Sequence, residues 1–206
     1  MPLEGIRVLD LSRILAGPHA AQSLSDLGAD VIKVEAPWGD DSRTWGPPFQ
    51  QGFDGGEVAS YFLSCNRGKK IVFANLKNER ERVRSLMDTV DVVIENFKPG
   101  AFDRLLGPVK PDLIVCSISG YGQEGPRRDE PAFDLTMQAR SGIMSVTGEE
   151  GGPPAKVGVA WIDVMTGMNA VSSILACLLR RDRGGGGARI DISLWDTAVS
   201  SLVNQG

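Results

Sequence analysis

The residue best suited to chemistry is Asp163, which stands at the start of an apolar helical repeat. Within residues 158–183 the apolar side chains follow the i, i+3, i+4, i+7 spacing of a helix with one buried face. Interpreted locally, Asp163 is an N-cap whose carboxylate accepts hydrogen bonds from the first helical turn. The same carboxylate, close to the small residues Thr166 and Gly167, has a second option as a nucleophile for an activated acyl group. Spacing alone favours the cap and leaves the nucleophile open.

Composition limits the functions that the chain can have. Its 206 residues are 42% hydrophobic and carry a net charge of −4, which fits one large domain and argues against a nucleic-acid-binding protein. No apolar run reaches the roughly 18 residues of a membrane span, and the N-terminus lacks the layout of a signal peptide. We therefore expect no membrane attachment and a cytoplasmic location, or the mitochondrial matrix if a presequence has been removed.

The histidine and cysteine content disfavours further classes of site. His19 is the only histidine, which argues against a histidine-based metal site and against a Ser/His/Asp triad. The cysteines Cys65, Cys116 and Cys177 stand far apart in apolar surroundings, without metal-ligand spacing, so we interpret them as reduced core thiols. We expect no metal site.

Short apolar strands alternate with helical segments, and this alternation predicts an α/β fold. Helices are expected at residues 78–88 and after Asp163, and strands at residues 6–11, 31–35, 91–95, 113–119 and 188–194, with one further strand between the loop at 37–57 and the helix at 78–88. Arg180 and the glycines at 184–187 would end the long helix. The fold class is therefore a Rossmann-like open parallel sheet with helices on both faces, which binds ligands at the carboxyl ends of its strands.

Two irregular segments carry charge that an anionic ligand could meet. Residues 37–57 are rich in Gly, Pro and Trp and include Arg43, which predicts either a functional loop or a surface cover. The turn at residues 66–70 contains three cations, which could hold a phosphate or form a solvated turn. Glu35 stands where a dinucleotide fold keeps its ribose-binding acid. The first turn has no GxGxxG, however, which disfavours NAD and FAD.

Six motifs in register resemble the class III CoA-transferase family, also called CaiB/BaiF-like, which includes formyl-CoA transferase, succinate–hydroxymethylglutarate CoA-transferase and α-methylacyl-CoA racemases. The motifs are GIRVLDL…AGP, GADVIKVE, NRGKK, DVVIENFKPG, LIVCSISGYGQEGP, and FDLTMQARSGIMSVTG followed by the Asp163 stretch. Each motif is weak alone, whereas the ordered set is specific. The resemblance implies that residues 1–206 are the N-terminal part of the family's large domain, without the small domain and the C-terminal segment. It also implies an interlocked homodimer.

The resemblance assigns the family's catalytic aspartate to Asp163, because the family's Asp-x-x-x-Gly matches residues 163–167. It implies that the carboxylate attacks an acyl-CoA thioester, forms a mixed anhydride and then an aspartyl-CoA thioester, and passes CoA to a carboxylic acid. CoA is thus a substrate, and no permanently bound cofactor is expected.

The resemblance also implies where CoA is held. The expected contacts are Ile14, Leu15, Asn66, Lys69, Lys70, Asn96, Phe97 and Arg104. Side-chain chemistry agrees, because lysine and arginine, including Lys98, can meet phosphates, and Phe97 can stack near adenine or pack on pantetheine. Two cations found in some members are absent, since Ala36 and Pro131 occupy their positions.

The acceptor is expected to be a dicarboxylate. Residues 40–49 resemble members that act on succinate, glutarate and hydroxymethylglutarate, and Arg43 offers a place for a distal carboxylate. Two alternatives stay open. One is an α-methylacyl-CoA racemase, although Phe133 stands where a racemase carries its histidine. The other is an inactive fragment whose uncovered apolar face serves only for binding or dimerisation.

Overall fold

A computed structural model describes residues 1–52 and 55–205. The strands in this part of the chain are β1 Arg7–Asp10, β2 Asp30–Glu35, β3 Phe49–Gln51, β4 Glu57–Ala59, β5 Lys70–Phe73, β6 Val92–Glu95, β7 Ile114–Ser119 and β8 Ala188–Ser193. The helices are α1 Ala16–Asp26, α2 Ser60–Asn66, α3 Arg80–Met87, α4 Ala101–Leu106, α5 Asp134–Ser141, α6 Trp161–Arg180 and α7 Leu194–Ser200. Short 3₁₀ helices lie at Asp41–Thr44 and Ile143–Val146.

Six strands form one parallel sheet in the order β5-β2-β1-β6-β7-β8. This confirms the predicted open parallel α/β fold. Strands β3 and β4 form a separate antiparallel hairpin. Because β2 lies on one side of β1 and β6 on the other, the strand order reverses between β1 and β6. Ligands of open α/β sheets bind at such a switch point.

Apolar side chains on both faces of the strands explain why helices cover the sheet on two sides. Val8 and Leu9 are both fully buried, but they belong to different cores because neighbouring strand residues alternate in direction. One core includes residues of α1, α5, α6 and α7, and the other includes residues of α3 and α4. The expected free thiols are confirmed for Cys65, Cys116 and Cys177.

Helix α6 packs along α1, and Gly167 makes their close approach possible. A Cβ at Gly167 would stand 2.8 Å from the Ala16 carbonyl oxygen and 3.0 Å from His19 Cδ2. Gly167 is therefore a helix-packing residue and does not serve as a hinge beside Asp163. The stretch Trp161–Gly185 is also long and apolar enough to cross a membrane by length and composition alone, although residues such as Ile174 pack into the core.

Two segments differ from the prediction, while the end of α6 agrees with it. Residues 37–57 contain the 3₁₀ helix Asp41–Thr44 and the β3–β4 hairpin; Phe53 and Asp54 lie outside the described residues. The strand expected after this loop is preceded by helix α2, so only Lys70–Phe73 is extended. These elements are too short to show a period. Helix α6 ends at Arg180 and a π-helical turn, Arg181–Gly185, continues it; the chain then leaves the helical path within the predicted glycine run, where Gly184 adopts a φ of 85°.

Candidate active site

A cleft of about 550 Å³ lies at the carboxyl edge of the sheet, where the strand order reverses between β1 and β6. Its walls come from the loop after β1, the loop after β6, the exit of β7 and the first turn of α6. The lining includes Ile14, Leu15, Asn96, Phe97, Lys98 and Asp163. The structure thus brings four expected CoA contacts together with the expected nucleophile.

Asp163 is the third residue of α6, and it lines this cleft. In the described part of the chain, its carboxylate accepts no hydrogen bond and forms no ion pair. Burial raises the pKa of Asp163 to about 7, and the negative charge of Asp134 adds to the effect. An unpaired carboxylate with this pKa is partly ionised near neutral pH and poorly stabilised as an anion, which suits a nucleophile.

Asp134, and not Asp163, caps helix α6. Its Oδ2 accepts hydrogen bonds from the N–H groups of Ile162 at 2.7 Å and Asp163 at 3.2 Å, and its Oδ1 accepts from Gln138 Nε2 at 2.5 Å. The N-cap interpretation of Asp163 is therefore wrong, because a distant carboxylate at the start of α5 has that role. The Trp161 and Val164 N–H groups bond to the backbone, so the first turn of α6 offers no free donors for an oxyanion.

Residues 12–15 connect β1 to α1 and form one wall of the cleft. The Arg13 N–H donates to Asn96 Oδ1 at 3.1 Å, and Asn96 Nδ2 donates to the Arg13 carbonyl at 2.9 Å. The Ile14 N–H donates to Asp40 Oδ2 at 3.2 Å. Ile14 has a φ of 74°, the only positive φ of a non-glycine residue within residues 1–52 and 55–205. A β-branched residue rarely adopts this conformation, so these contacts hold a strained loop in place.

The segment after β6 presents an aromatic ring and a cation at the cleft. The Phe97 N–H donates to Glu95 Oε2 at 2.7 Å, which fixes the start of the segment. Lys98 lines the cleft and is exposed, and no carboxylate pairs with it in the described chain. Arg104 on α4 is also exposed and forms no ion pair within the described residues. It does not line this cleft or a second cavity that lies beside it.

That neighbouring cavity, of about 350 Å³, lies at the carboxyl ends of β2 and β5. Its wall is mostly apolar and includes Leu11, Val34, Ala36, Leu76, Phe97 and Leu105. Trp38 also lines it, and 76% of this residue is exposed. Arg13 and Phe97 contribute to both the cleft and this second cavity, so the two form adjacent parts of one ligand-accessible surface.

Comparison with known proteins identifies the family. The sequence profile of CoA-transferase family III matches residues 3–206. This chain belongs to CoA-transferase family III. Succinate–glutarate CoA-transferase of Agrobacterium fabrum is 48% identical, over 99% of this chain and 54% of that protein. Succinyl-CoA:mesaconate CoA-transferase of Haloarcula marismortui is 42% identical, over 96% of this chain and 53% of that protein.

A solved structure agrees with this assignment. The crystal structure of a CAIB/BAIF family protein from Brucella suis superposes with a TM-score of 0.95 at 47% identity, over 100% of this chain and 56% of that chain. The present chain therefore spans about half the length of the family III relatives that it matches.

The structure places the expected CoA contacts at residues 66–70 away from the cleft. The Lys69 side chain is fully buried, and its ammonium donates to Asp10 Oδ2 at 2.8 Å, the Pro18 carbonyl at 2.9 Å and Asn66 Oδ1 at 2.9 Å. Asn66 is buried as well. Lys70 binds Asp30 at 2.6 Å at the amino end of β5, on the edge of the sheet opposite the cleft. None of these three residues lines the cleft or the second cavity.

Arg43, the expected partner for a substrate carboxylate, is paired inside the protein. Its Nε and Nη2 donate to the two oxygens of Glu35 at 2.7 and 2.9 Å, and its guanidinium lies 3.8 Å from the centroid of the Phe62 ring. Glu35 also accepts from the Asp40 N–H at 2.9 Å. Glu35 therefore anchors the loop that follows β2, as the missing dinucleotide fingerprint suggested.

Lys33, Asp40 and Asp134 were not identified from the sequence. Lys33 is fully buried in β2, with Nζ 3.2 Å from Asp40 Oδ2 and 2.8 Å from the Ser12 carbonyl. A lysine inside the apolar strand VIKVE is itself a signal, because lysine is almost never fully buried without a partner. Asp134 has no such signal, since it bonds a helix 28 residues farther along the chain.

Proposed function

We propose that the protein containing this chain transfers CoA from an acyl-CoA donor to a dicarboxylic acid, with Asp163 as the nucleophile. The observation that carries the proposal is the unpaired Asp163 carboxylate in the cleft between the loops that follow β1 and β6. Membership of CoA-transferase family III supports CoA transfer. The two named relatives support the substrate class, because succinate, glutarate and mesaconate are all dicarboxylates.

In the proposed reaction, the Asp163 carboxylate attacks the thioester carbonyl. A C–O bond forms and the C–S bond breaks, giving a mixed anhydride and CoA thiolate. The thiolate then attacks the Asp163 carbonyl, releasing the donor carboxylate and leaving an aspartyl-CoA thioester. The acceptor carboxylate attacks that thioester to form a second anhydride, and the thiolate takes the acceptor acyl group. Asp163 returns to a carboxylate, with no net proton or electron consumed.

Protonation of Asp163 controls the first step. Because burial raises its pKa to about 7, the ionised fraction of Asp163 increases with pH across the neutral range. Removal from water also leaves the anion with a weaker hydration shell to shed before attack. The N–H donors for the developing oxyanion have to come from outside the first turn of α6, whose N–H groups are already bonded.

We assign the acyl and pantetheine portions of CoA to the cleft and the adenine end to the second cavity. The apolar wall of that cavity and the exposed indole of Trp38 suit a purine ring. Ile14, Leu15, Asn96 and Phe97 retain their expected CoA contacts in this proposal. Lys98 is the available cation in the cleft wall for a phosphate, and Arg104 is a second one on α4.

The decisive experiment is to trap the covalent intermediate. Incubation with succinyl-CoA should attach CoA to the peptide that contains Asp163, and hydroxylamine should convert that peptide to a hydroxamate, as measured by mass spectrometry. Asp163→Asn should abolish the adduct, whereas Asp129→Asn, an exposed carboxylate that also lines the cleft, should keep it. Adduct formation by Asp163→Asn would contradict the assignment of the nucleophile.

The alternative activities have less support from the site. Phe133 lines the cleft where a racemase would carry its histidine, and the sole histidine, His19, lies on α1 beside Gly167. Exchange of the α-proton of a branched acyl-CoA for solvent deuterium would support the racemase alternative. Failure to form any adduct, with acyl-CoA still bound, would favour a binding module.

We also propose that the protein assembles as a homodimer, which sedimentation would test.

A further inference from the structure

A cluster of buried charges that the proposed reaction does not use lies against residues 12–15. Its members are Asp10, Lys33, Asp40 and Lys69, whose side chains are at most 1% exposed. Lys33 Nζ lies 3.2 Å from Asp40 Oδ2 and 3.8 Å from Asp10 Oδ2, and Lys69 Nζ lies 2.8 Å from Asp10 Oδ2. The two carboxylates and two ammonium groups balance in charge, which allows all four to be buried.

This charge cluster binds the backbone of the loop at three points. Asp10 Oδ1 accepts from the Ser12 N–H at 3.0 Å, and Lys33 Nζ donates to the Ser12 carbonyl at 2.8 Å. The third contact is the hydrogen bond from the Ile14 N–H to Asp40 Oδ2 at 3.2 Å. Only this third contact reaches Ile14, the residue with the left-handed φ of 74°.

We propose that Asp40 is a positioning residue for CoA binding, because it holds the Ile14 N–H and thereby keeps residues 12–15 shaped as the shared wall of the cleft and the second cavity. This inference rests on the proposed function, since CoA is the ligand assigned to that wall. A left-handed conformation is unfavourable for a β-branched side chain. Without a partner for its N–H, Ile14 relaxes and carries Arg13 and Leu15 with it.

Neighbouring contacts do not replace Asp40. Asn96 bonds the N–H and the carbonyl of Arg13 but supplies no acceptor for the Ile14 N–H. Asp41 contacts only the exposed guanidinium of Arg13, at 3.1 Å. The other Asp40 oxygen, Oδ1, accepts from Ser42 N at 3.0 Å and Ser42 Oγ at 2.7 Å, and makes only a longer contact with the Ile14 N–H, at 3.4 Å. Oδ2 is therefore oriented toward Ile14 and Lys33.

The test compares Asp40→Asn with Asp41→Asn, since both remove one negative charge beside the same loop. In Asp40→Asn, the amide oxygen can still accept from Ser42, whereas the NH₂ group faces the Ile14 N–H and the Lys33 ammonium, both of which are donors. We expect Asp40→Asn to weaken binding of free CoA, measured by calorimetry, about tenfold, the size of one charge-assisted hydrogen bond. Asp41 lines the second cavity and pairs with Arg13, so Asp41→Asn should change CoA affinity by a smaller factor than Asp40→Asn, without altering the contact to the Ile14 N–H.

Hydrogen exchange provides a second measurement, which reports on the conformation of residues 12–15 directly. Hydrogen exchange at the Ile14 amide should accelerate in Asp40→Asn and stay at the wild-type rate in Asp41→Asn. In an Ile14→Gly background, adding Asp40→Asn should cause a smaller further loss of CoA affinity than it causes in the wild type, because glycine adopts positive φ without strain. If Asp40→Asn does not fold, Ser42→Ala replaces it, since this variant keeps every charge while loosening Asp40. It should accelerate Ile14 exchange and weaken CoA binding to a smaller extent.

The outcomes separate this inference from the proposed function. Wild-type protein that does not bind CoA contradicts the proposed function. If wild-type protein binds CoA and Asp40→Asn, or Ser42→Ala in its place, binds it equally well, the positioning role is overturned while the proposed function stands. An equal loss in Asp41→Asn, or a loss from Asp40→Asn that is as large in the Ile14→Gly background as in the wild type, also overturns it, because the effect would then not act through the conformation of Ile14.

Discussion

The carboxylate of Asp10 is fully buried and that of Asp163 is partly buried, and their pKa values shift in opposite directions. For Asp10, burial acts to raise the pKa, yet the ammonium groups of Lys33 and Lys69 and hydrogen bonds outweigh it and lower the pKa. For Asp163, burial raises the pKa to about 7, and Asp134 reinforces the shift. The supply of partners therefore decides the state of a buried acid. The acids of the charge cluster are paired with lysines, whereas Asp163 has no ion-pair partner among the described residues.

Breaking the charge cluster should have the largest effect on stability. Asp10→Ala leaves Lys69 without its carboxylate in a buried position, so we expect it to lower the free energy of unfolding by about 3–5 kcal/mol in urea denaturation. Asp103→Ala is the control, because Asp103 forms a pair of similar length with Arg189, at 2.7 Å, on the surface. That variant should lose at most about 1 kcal/mol. Equal losses would show that the cluster contributes no more to stability than a surface pair does.

Neutralising Asp163 should raise the free energy of unfolding, whereas breaking the charge cluster lowers it. The folded-state pKa of Asp163 is raised, so folded protein keeps a proton that unfolded protein releases, and stability falls as pH rises from about 4 to about 7. Asp163→Asn removes this loss and should unfold with a free energy higher than wild type by on the order of 2–4 kcal/mol at about pH 8, but not at about pH 4. Asp134→Asn should recover only a minor part, because burial is the larger cause. A pH-independent difference would contradict the assigned pKa.

The contact between α1 and α6 links the two regions and should be intolerant of added volume. Gly167→Ala brings a methyl group to 2.8 Å from the Ala16 carbonyl oxygen, so the helices have to separate. We expect thermal or urea unfolding to show a loss of about 1–3 kcal/mol. Gly158→Ala has no atom within 4 Å of the new Cβ and serves as the control. Similar losses in the free energy of unfolding for both variants would show that α1 and α6 can move apart at little cost.

The smallest expected effect is a change in CoA affinity, and it is tested by comparing Lys98 and Lys70, which lie at opposite edges of the sheet. Lys98→Ala should weaken CoA binding by a few-fold, because it removes an unpaired cation from the cleft wall. Lys70→Ala breaks only an exposed pair with Asp30 and should leave CoA affinity unchanged. Titration of both variants with CoA at low salt would show the contrast. A loss confined to Lys70→Ala would restore the turn at residues 66–70 as a CoA contact.

The sheet could be predicted because its strands are buried on both faces. The runs around Val8, Val93 and Val115 are nearly continuous in apolar residues, as expected for strands covered by two layers of helices. The long period of α6 likewise marked Asp163 as a candidate. Motif resemblance then added Ile14, Leu15, Asn96 and Phe97, which share the cleft with it. Short elements such as the β3–β4 hairpin had no period to detect.

Side-chain partners from distant parts of the chain could not be predicted in the same way. Lys69 and Arg43 looked like free cations, but the fold brings each to a carboxylate, Asp10 and Glu35 respectively. Conversely, Asp163 looked like a helix cap until Asp134 was found in that role. Whether a charged residue is free or paired depends on tertiary contacts, and these leave no trace in local spacing.

In the proposed reaction, Asp134 at the start of α5 affects the balance between free enzyme and enzyme with CoA joined to Asp163. Protonation and thioester formation both remove the negative charge of Asp163. Burial disfavours that charge, so it favours the thioester for the same reason that it favours the protonated acid. Joining CoA to this side chain removes its repulsion from Asp134, while Asp134 keeps its bond to the Asp163 N–H. Relative to a carboxylate in water, the site therefore shifts the equilibrium toward the loaded form. In the proposed reaction, the enzyme would retain CoA between the departure of one acid and the arrival of the next.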